Sequence, residues 1–135
     1  MNSYKLTETL AVAGQSSPVL VADIAAAGYK VLLNNRPDGE EHGQPSSAEI
    51  ADAAAAAGLE YHHMPVTATN FPGEHLDEMA DLFDDDQRPV FAFCRTGTRC
   101  TNLWVLSRLP HERELAVARA QGIGFDLSMV ARALS

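Results

Sequence analysis

The sequence predicts an α/β fold: a small, mostly parallel sheet flanked by helices. Short apolar runs of strand length alternate with longer runs of helical periodicity, which is the pattern of this fold class. Residues 90–94 are apolar throughout, as is typical of a parallel strand covered on both faces. The chain has 135 residues, 46% of them hydrophobic and 21% charged, the size and composition of one globular domain. We therefore predict a single domain over residues 1–135.

Four segments have the length and apolar character of strands. They are residues 10–13, 29–33, 59–66 and 90–94. A first helix is predicted to begin after Ser17, a typical N-cap residue, with Pro18 at the first helical position. Gly28 lies where the C-cap residue of that helix is expected. This unit gives the order strand, helix, strand, which is the basic unit of a parallel sheet.

The remaining helices follow from caps and periodicity. Ser46 or Ser47 caps the second helix, whose alanine-rich body ends before Gly58. In residues 74–83 the apolar side chains recur at i, i+3, i+4 and i+7 and therefore share one face. Two or three helices complete the chain, and the first of them is predicted over residues 100–109. Ligands of open parallel sheets bind at the carboxyl ends of the strands, which makes the end of the strand 90–94 a candidate site.

Charge and composition exclude several classes of protein. The net charge of −8 argues against a surface for nucleic acid or an anionic membrane. No apolar run approaches the ~20 residues needed to cross a bilayer, and residues 1–9 lack the features of a signal peptide. Two cysteines are too few for a secreted disulfide scaffold. We expect a soluble, cytoplasmic protein without a cofactor, and without a metal because the adjacent His62 and His63 point to opposite faces of a strand.

The segment that follows the strand 90–94 has the composition of an anion-binding loop. Cys94 and Arg99 enclose a short loop that consists of Arg95, Thr96, Gly97 and Thr98. A strand–loop–helix turn with a central glycine directs backbone N–H groups into one concavity at the positive end of the helix. These groups favour the thiolate of Cys94 as a nucleophile, and Arg99 can bind two oxygens of a tetrahedral anion. The alternative is a buried structural cysteine beside two solvated arginines.

Two further groups are candidates for this site. Asn35, Arg36 and Asp38 follow the strand 29–33 and would form a rim if that strand neighbours the cysteine strand. The alternative is that Arg36 is a loop arginine paired with a nearby carboxylate: Asp38, Glu40 or Glu41. Cys100 is either a resolving thiol that protects Cys94 from over-oxidation or a packing residue in the first helical turn.

Several stretches resemble one family. The Cys-x4-Arg loop is one residue shorter than the Cys-x5-Arg signature of protein tyrosine phosphatases and resembles the persulfide loop of rhodanese-type sulfurtransferases. The whole chain resembles the phosphatase-like domain of beta-lactamase hydrolase-like proteins. The matching stretches are residues 34–41, 43–46, 63–66 and 94–99, with Leu103 and Trp104. The resemblance implies a tyrosine-phosphatase-like fold and a cysteine-dependent phosphatase or sulfurtransferase, without deciding between the two.

Three functions stay open: sulfur transfer, hydrolysis of a phosphate ester and non-catalytic binding. We favour sulfur transfer for two reasons. A shorter ring of N–H groups suits the single outer sulfur of a Cys94 persulfide better than three phosphoryl oxygens. Residues 67–73, where such phosphatases carry a general acid, contain no acidic residue. The predicted activity is therefore sulfur transfer from thiosulfate or a persulfide. The alternatives are hydrolysis of a phosphate ester through a phosphocysteine, and a non-catalytic module that binds anions or an unidentified protein partner.

Overall fold

A computed structural model describes residues 2–135. In this part of the chain, the strands are β1 (Ser3–Thr7), β2 (Leu10–Ala13), β3 (Val31–Asn34), β4 (Glu60–His63) and β5 (Val90–Phe93). The helices are α1 (Pro18–Ala26), α2 (Ser47–Ala57), α3 (Leu76–Asp84), α4 (Thr98–Ser107), α5 (Pro110–Ile123) and α6 (Ser128–Leu134). The predicted α/β class and the predicted order of strands and helices from β2 onward are confirmed.

The five strands form one sheet in the order β1-β2-β5-β3-β4. The pairs β2–β5, β5–β3 and β3–β4 are parallel, whereas β1 pairs antiparallel with β2. The sequence analysis missed β1, because residues 3–5 are exposed and lack the apolar character of the other strands. The central place of β5 puts its carboxyl end between the ends of β2 and β3.

Side chains of β5 alternate between two hydrophobic cores. Phe91 and Phe93 pack into the core that contains the buried residues of α1 and α2. Val90, Ala92 and Cys94 pack into the larger core on the other face, to which α3–α6 contribute. A strand buried on both faces needs apolar residues at every position, which explains the continuous apolar run in the sequence.

Both ends of α2 have the cap residues predicted from the sequence. The Ser46 side chain accepts a hydrogen bond from the Glu49 backbone N–H, and the Glu49 side chain accepts one from the Ser46 backbone N–H. This reciprocal pair satisfies two N–H groups that a helix start leaves unpaired. At the other end Gly58 is left-handed, with φ of 77°, a conformation that glycine adopts without steric cost.

Several boundaries differ from the prediction by one to three residues, and one of them affects the candidate site. β4 ends at His63 rather than at residue 66; after it, the backbone N–H groups of Met64 and Val66 bond to the carbonyls of Asn34, the last residue of β3, and Asn35. α4 begins at Thr98, two residues earlier than predicted. Residues 99 and 100 therefore lie in the first helical turn, next to the free N–H groups of the helix start. Within residues 2–135, the structure contains no helix long and apolar enough to cross a membrane.

Candidate active site

Cys94 lies directly after β5, at the floor of the loop that leads into α4. Its side chain is buried, with 1% of the residue exposed. The Gly97 backbone N–H donates a hydrogen bond of 3.1 Å to the Cys94 sulfur. Gly97 is the N-cap of α4 and has φ of 89°, and a Cβ there would lie 3.4 Å from the Phe125 ring. A larger residue would strain the turn that aims this N–H at the sulfur.

The surroundings of Cys94 favour its thiolate. The pKa of the Cys94 thiol is lowered to about 6, first by a hydrogen bond from the Cys100 side chain. Burial opposes this effect, while backbone N–H groups of Cys100, Thr96 and Arg99 add to it. The sequence analysis predicted the direction of this shift from the N–H groups and the arginine. It did not anticipate that the neighbouring thiol has the largest effect.

Cys100 is the second buried thiol of the site. It is fully buried in the first turn of α4. Burial raises the pKa of the Cys100 thiol well above its ordinary value, and the hydrogen bond with Cys94 adds to the increase. Cys100 therefore keeps its proton at neutral pH and donates it to the Cys94 sulfur.

Arg99 is held by the surrounding chain on one side. Its two terminal nitrogens donate to the two carboxylate oxygens of Glu40 at 2.9 and 2.7 Å, and Nη1 also donates to the Val66 carbonyl at 2.8 Å. An arginine has five N–H groups in a planar fork. These contacts leave the Nε–H and one Nη2–H, which form the other edge of the guanidinium. Two parallel donors on one edge are the geometry that binds a carboxylate or tetrahedral anion in bidentate fashion.

Glu40 joins the two arginines of this site; it was expected only as one of three alternative partners of Arg36, and its contact with Arg99 was not predicted. Its carboxylate accepts hydrogen bonds from Arg99 and, at 2.9 Å, from Nε of Arg36. The hydrogen bond from Arg99 lowers the pKa of the Glu40 carboxyl; burial opposes this, and Arg36 lowers it further. Glu40 is therefore an ionised bridge between two arginines. A signal was present, because residue 40 lies within the stretch 34–41 that carries the family resemblance.

The predicted rim residues have three different environments. Arg36 is only 1% exposed and also donates to Gln15 at 3.0 Å and to Glu41 at 2.9 Å. It does not reach the rim by itself, and it is joined to the site through Glu40. Asn35 lies in the core, where its amide donates to the Met64 carbonyl at 3.0 Å. Both Asn35 and Arg36 are thus buried supports rather than rim residues.

Asp38, the third predicted rim residue, lies at the start of α2. Its carboxylate accepts a hydrogen bond of 2.8 Å from the Ser47 backbone N–H. This contact satisfies one of the unpaired N–H groups at the helix start. Asp38 therefore stabilises the end of the loop that carries Glu40.

The outer part of the cysteine loop is open to solvent. Arg95 and Thr96 are exposed; 61% of the Arg95 side chain is accessible, and its Nη2 lies 3.7 Å from the Glu41 carboxylate. The hydroxyl of Thr96 donates to that of Thr98 at 3.0 Å. Arg36, Arg95 and Arg99 thus converge on one region through two bridging carboxylates, as expected if β3 neighbours β5.

His62 and His63, the adjacent histidines of β4, each lie within hydrogen-bond distance of a protein oxygen. His63 Nε2 is 2.8 Å from the Arg36 carbonyl, and His62 Nε2 is 2.6 Å from the Glu60 carboxylate. Among the residues described, 2–135, no three side chains of the metal-binding types come together. We therefore assign both histidines to hydrogen bonds of the β4 edge.

Comparison with known proteins identifies the family. The family model described as "Beta-lactamase hydrolase-like protein, phosphatase-like domain" matches residues 3–110. The chain belongs to this family. A beta-lactamase hydrolase-like protein of Agrobacterium fabrum is 36% identical over 106 residues, which make up 78% of this chain and 25% of that protein. The chain thus spans far less than the full length of this phosphatase-like family relative. The family predicted from the sequence stretches is confirmed.

Solved structures place the phosphatase-like domain in its fold group. A candidate phosphatase of Neisseria meningitidis superposes with a TM-score of 0.76 at 35% identity, covering 95% of this chain and 93% of that chain. TpbA of P. aeruginosa, solved in complex with pTyr, superposes with a TM-score of 0.67 at 16% identity, covering 97% and 81%. The predicted tyrosine-phosphatase-like fold is confirmed.

Proposed function

We propose that the chain is a cysteine-dependent group-transfer enzyme whose preferred reaction is rhodanese-type sulfur transfer. The Cys94 thiolate attacks the outer sulfur of thiosulfate, the S–S bond of thiosulfate breaks, and sulfite leaves with the bonding electron pair. The outer sulfur remains on Cys94 as a persulfide. A thiol or cyanide then accepts that sulfur and regenerates the thiolate.

The observation that carries this proposal is the size of the loop. Only four residues separate Cys94 from Arg99, and the Gly97 N–H already points at the cysteine sulfur. A ring this short has room for one atom attached to the sulfur more readily than for three phosphoryl oxygens. The free edge of Arg99 is available for the oxygens of the departing sulfite.

The second support is that residues 67–73, where such phosphatases carry a general acid, offer no carboxylic acid to protonate a leaving oxygen. Residues 67–73 contain no carboxylate, and the one amide there, Asn70, accepts hydrogen bonds from the Thr67 backbone and hydroxyl. Glu40 lies close to Arg99, but two arginines keep it ionised. Sulfite is a weak base and leaves without a proton, whereas an alkoxide or phenoxide leaves better with general acid catalysis.

Phosphate-ester hydrolysis is the second candidate. The tyrosine-phosphatase-like fold and the pTyr complex of TpbA favour it. The same Cys94 thiolate would form a phosphocysteine, and water would release phosphate from it. The candidate phosphatase of Neisseria meningitidis, which is 35% identical over 95% of this chain, also favours it. We rank sulfur transfer first because of the short loop, since one fold hosts several chemistries.

Intact-mass spectrometry distinguishes the candidates. The protein is treated with thiosulfate, and in a separate sample with p-nitrophenyl phosphate, while sulfite and nitrophenol are measured. We expect added sulfur on Cys94 and sulfite release to exceed phosphate chemistry. Cys94→Ser should retain the fold and lose both activities, since a serine without an adjacent base is a poor nucleophile. Hydrolysis of the aryl ester without any persulfide would establish the phosphatase, and no reaction in either sample would indicate a non-catalytic binding module.

A further inference from the structure

We propose that Cys100 resolves the derivatised form of Cys94 through an intramolecular disulfide, so that the domain releases hydrosulfide as well as transferring sulfur. The proposal rests on the proposed persulfide chemistry for the hydrosulfide step. The disulfide step itself also has a route, through oxidation of Cys94, that does not depend on the physiological substrate.

The position of Cys100 supports this role. Cys94 directly follows β5, and Cys100 lies in the first turn of α4. Both residues are buried free cysteines in the same hydrophobic core. The short turn between them is folded back on Cys94, because the Gly97 backbone N–H at its centre bonds to the Cys94 sulfur. A disulfide needs close Cβ atoms, and two cysteines buried on the same side of one tight turn are placed to meet that requirement. The hydrogen bond that lowers the pKa of Cys94 agrees with this placement.

The charge of the Cys94 thiolate supports the order of the two steps. While Cys94 is a thiolate, its hydrogen bond and its negative charge both raise the pKa of Cys100, in addition to the larger effect of burial. A persulfide carries its negative charge on the outer sulfur, one atom away from the Cys94 sulfur, which weakens this effect. The Arg99 charge and a backbone N–H favour the Cys100 thiolate. We therefore expect Cys100 to react after Cys94 has been derivatised.

The step balances in atoms and charge. Cys100 sulfur attacks the inner sulfur of the Cys94 persulfide anion, a bond forms between the two cysteine sulfurs, and the inner–outer sulfur bond breaks. The proton of the Cys100 thiol leaves with the outer sulfur as hydrosulfide. Cys100 sulfur is oxidised and the outer sulfur is reduced. An external dithiol then reduces the disulfide by thiol–disulfide exchange.

The oxidation route has the same product. Hydrogen peroxide converts the Cys94 thiolate to a sulfenic acid. Attack by Cys100 on that sulfur forms the disulfide and releases water, which takes its second hydrogen from the Cys100 thiol. This route prevents oxidation to the irreversible sulfinic and sulfonic acids.

The test compares wild type with Cys100→Ser and Cys100→Ala, each checked by circular dichroism and melting temperature. In the first arm, protein is treated with stoichiometric hydrogen peroxide and analysed by intact mass and peptide mapping. Wild type should lose two hydrogens in a Cys94–Cys100 disulfide and recover its free thiols with dithiothreitol. Both variants should instead gain one oxygen as a sulfenic acid, and excess peroxide should oxidise them further to the irreversible sulfinic acid while wild type stays reducible. A wild type that gains oxygen as the variants do would overturn the proposal.

In the second arm, thiosulfate is added without a reducing thiol, and hydrosulfide is measured in a single turnover. Wild type should form the disulfide and release hydrosulfide. The variants should keep the persulfide and release hydrosulfide at a rate at least roughly 10-fold below that of wild type. A stable persulfide in wild type would refute hydrosulfide release. If no persulfide forms in any variant while peroxide still gives the disulfide, the proposed sulfur-transfer function fails and the resolving role of Cys100 stands.

Discussion

Replacing Cys100 with alanine should raise the pKa of the Cys94 thiol and so reduce its reactivity near neutral pH. The structure gives the wild-type thiol a pKa of about 6, against about 8.5 for an unperturbed cysteine. At pH 7 roughly nine-tenths of Cys94 is then thiolate. The largest cause is the hydrogen bond from the Cys100 side chain, which the alanine variant lacks.

The size of the effect follows from the type of bond. A hydrogen bond to a charged group contributes about 1.5–3 kcal/mol, which corresponds to about one to two pH units. We therefore expect the pH midpoint for ionisation of the Cys94 thiol to move from about 6 in wild type to between about 7 and 8 in Cys100→Ala. The backbone N–H groups of Thr96, Gly97 and Arg99 remain in the variant, so the midpoint should stay below that of free cysteine.

The assay is the rate of iodoacetamide alkylation at Cys94 as a function of pH, followed by intact mass. Because the folded pKa lies below the ordinary value, the rate should stay high as pH falls towards 7 and decline only as it passes through about 6. Cys100→Ser is the matched control: its hydroxyl retains a donor, so its midpoint should remain close to that of wild type. A wild-type midpoint at or above ~8.5 would refute the anion-cradle argument. Equal midpoints in wild type and Cys100→Ala would refute the role of the second thiol.

Three substitutions and one insertion test the rest of the site. Arg99→Lys keeps the charge but loses the planar fork that binds Glu40 and leaves an edge for the substrate, so kcat/KM should fall by roughly 10-fold or more; unchanged kinetics would mean that Arg99 does not contact the substrate. Glu40→Gln removes the ionic support of Arg99 and should reduce kcat/KM on the order of 10-fold. Glu41→Gln, which leaves the Arg99 contacts intact, should have the smaller effect. Inserting one glycine after Gly97 widens the ring of N–H groups, and the ratio of aryl phosphatase to sulfurtransferase activity should rise; a constant ratio in a folded variant would show that ring size does not set the preference.

Much of the fold could be predicted from the sequence because its signals are local. The reciprocal cap at Ser46 and Glu49 spans four residues, and the left-handed Gly58 follows from its place after an alanine-rich helix. The apolar run 90–94 predicted a strand buried on both faces, and the order β1-β2-β5-β3-β4 puts it in the centre of the sheet. β1 carries no such signal, since an exposed edge strand is stabilised by its pairing with β2.

The candidate nucleophile could be predicted for the same reason. Cys94, the glycine turn and the start of α4 are contiguous, so the backbone N–H groups reach the sulfur without any long-range contact. These groups indicate the direction of the Cys94 pKa shift, although its largest cause is the hydrogen bond from the Cys100 side chain.

Only the tertiary structure decided how Arg99 is held. Glu40 is 59 residues away in the chain, and it reaches Arg99 because β3 pairs with β5 in the sheet. Arg36 belongs to the same network: a nearby carboxylate was one of its two expected roles, but the contact of that carboxylate with Arg99 was not. No local pattern indicates which distant carboxylate meets a buried guanidinium, since that depends on the order of the strands. The sequence by itself indicated the candidate nucleophile and the loop around it, and the folded chain determined the charges that orient the arginine beside it.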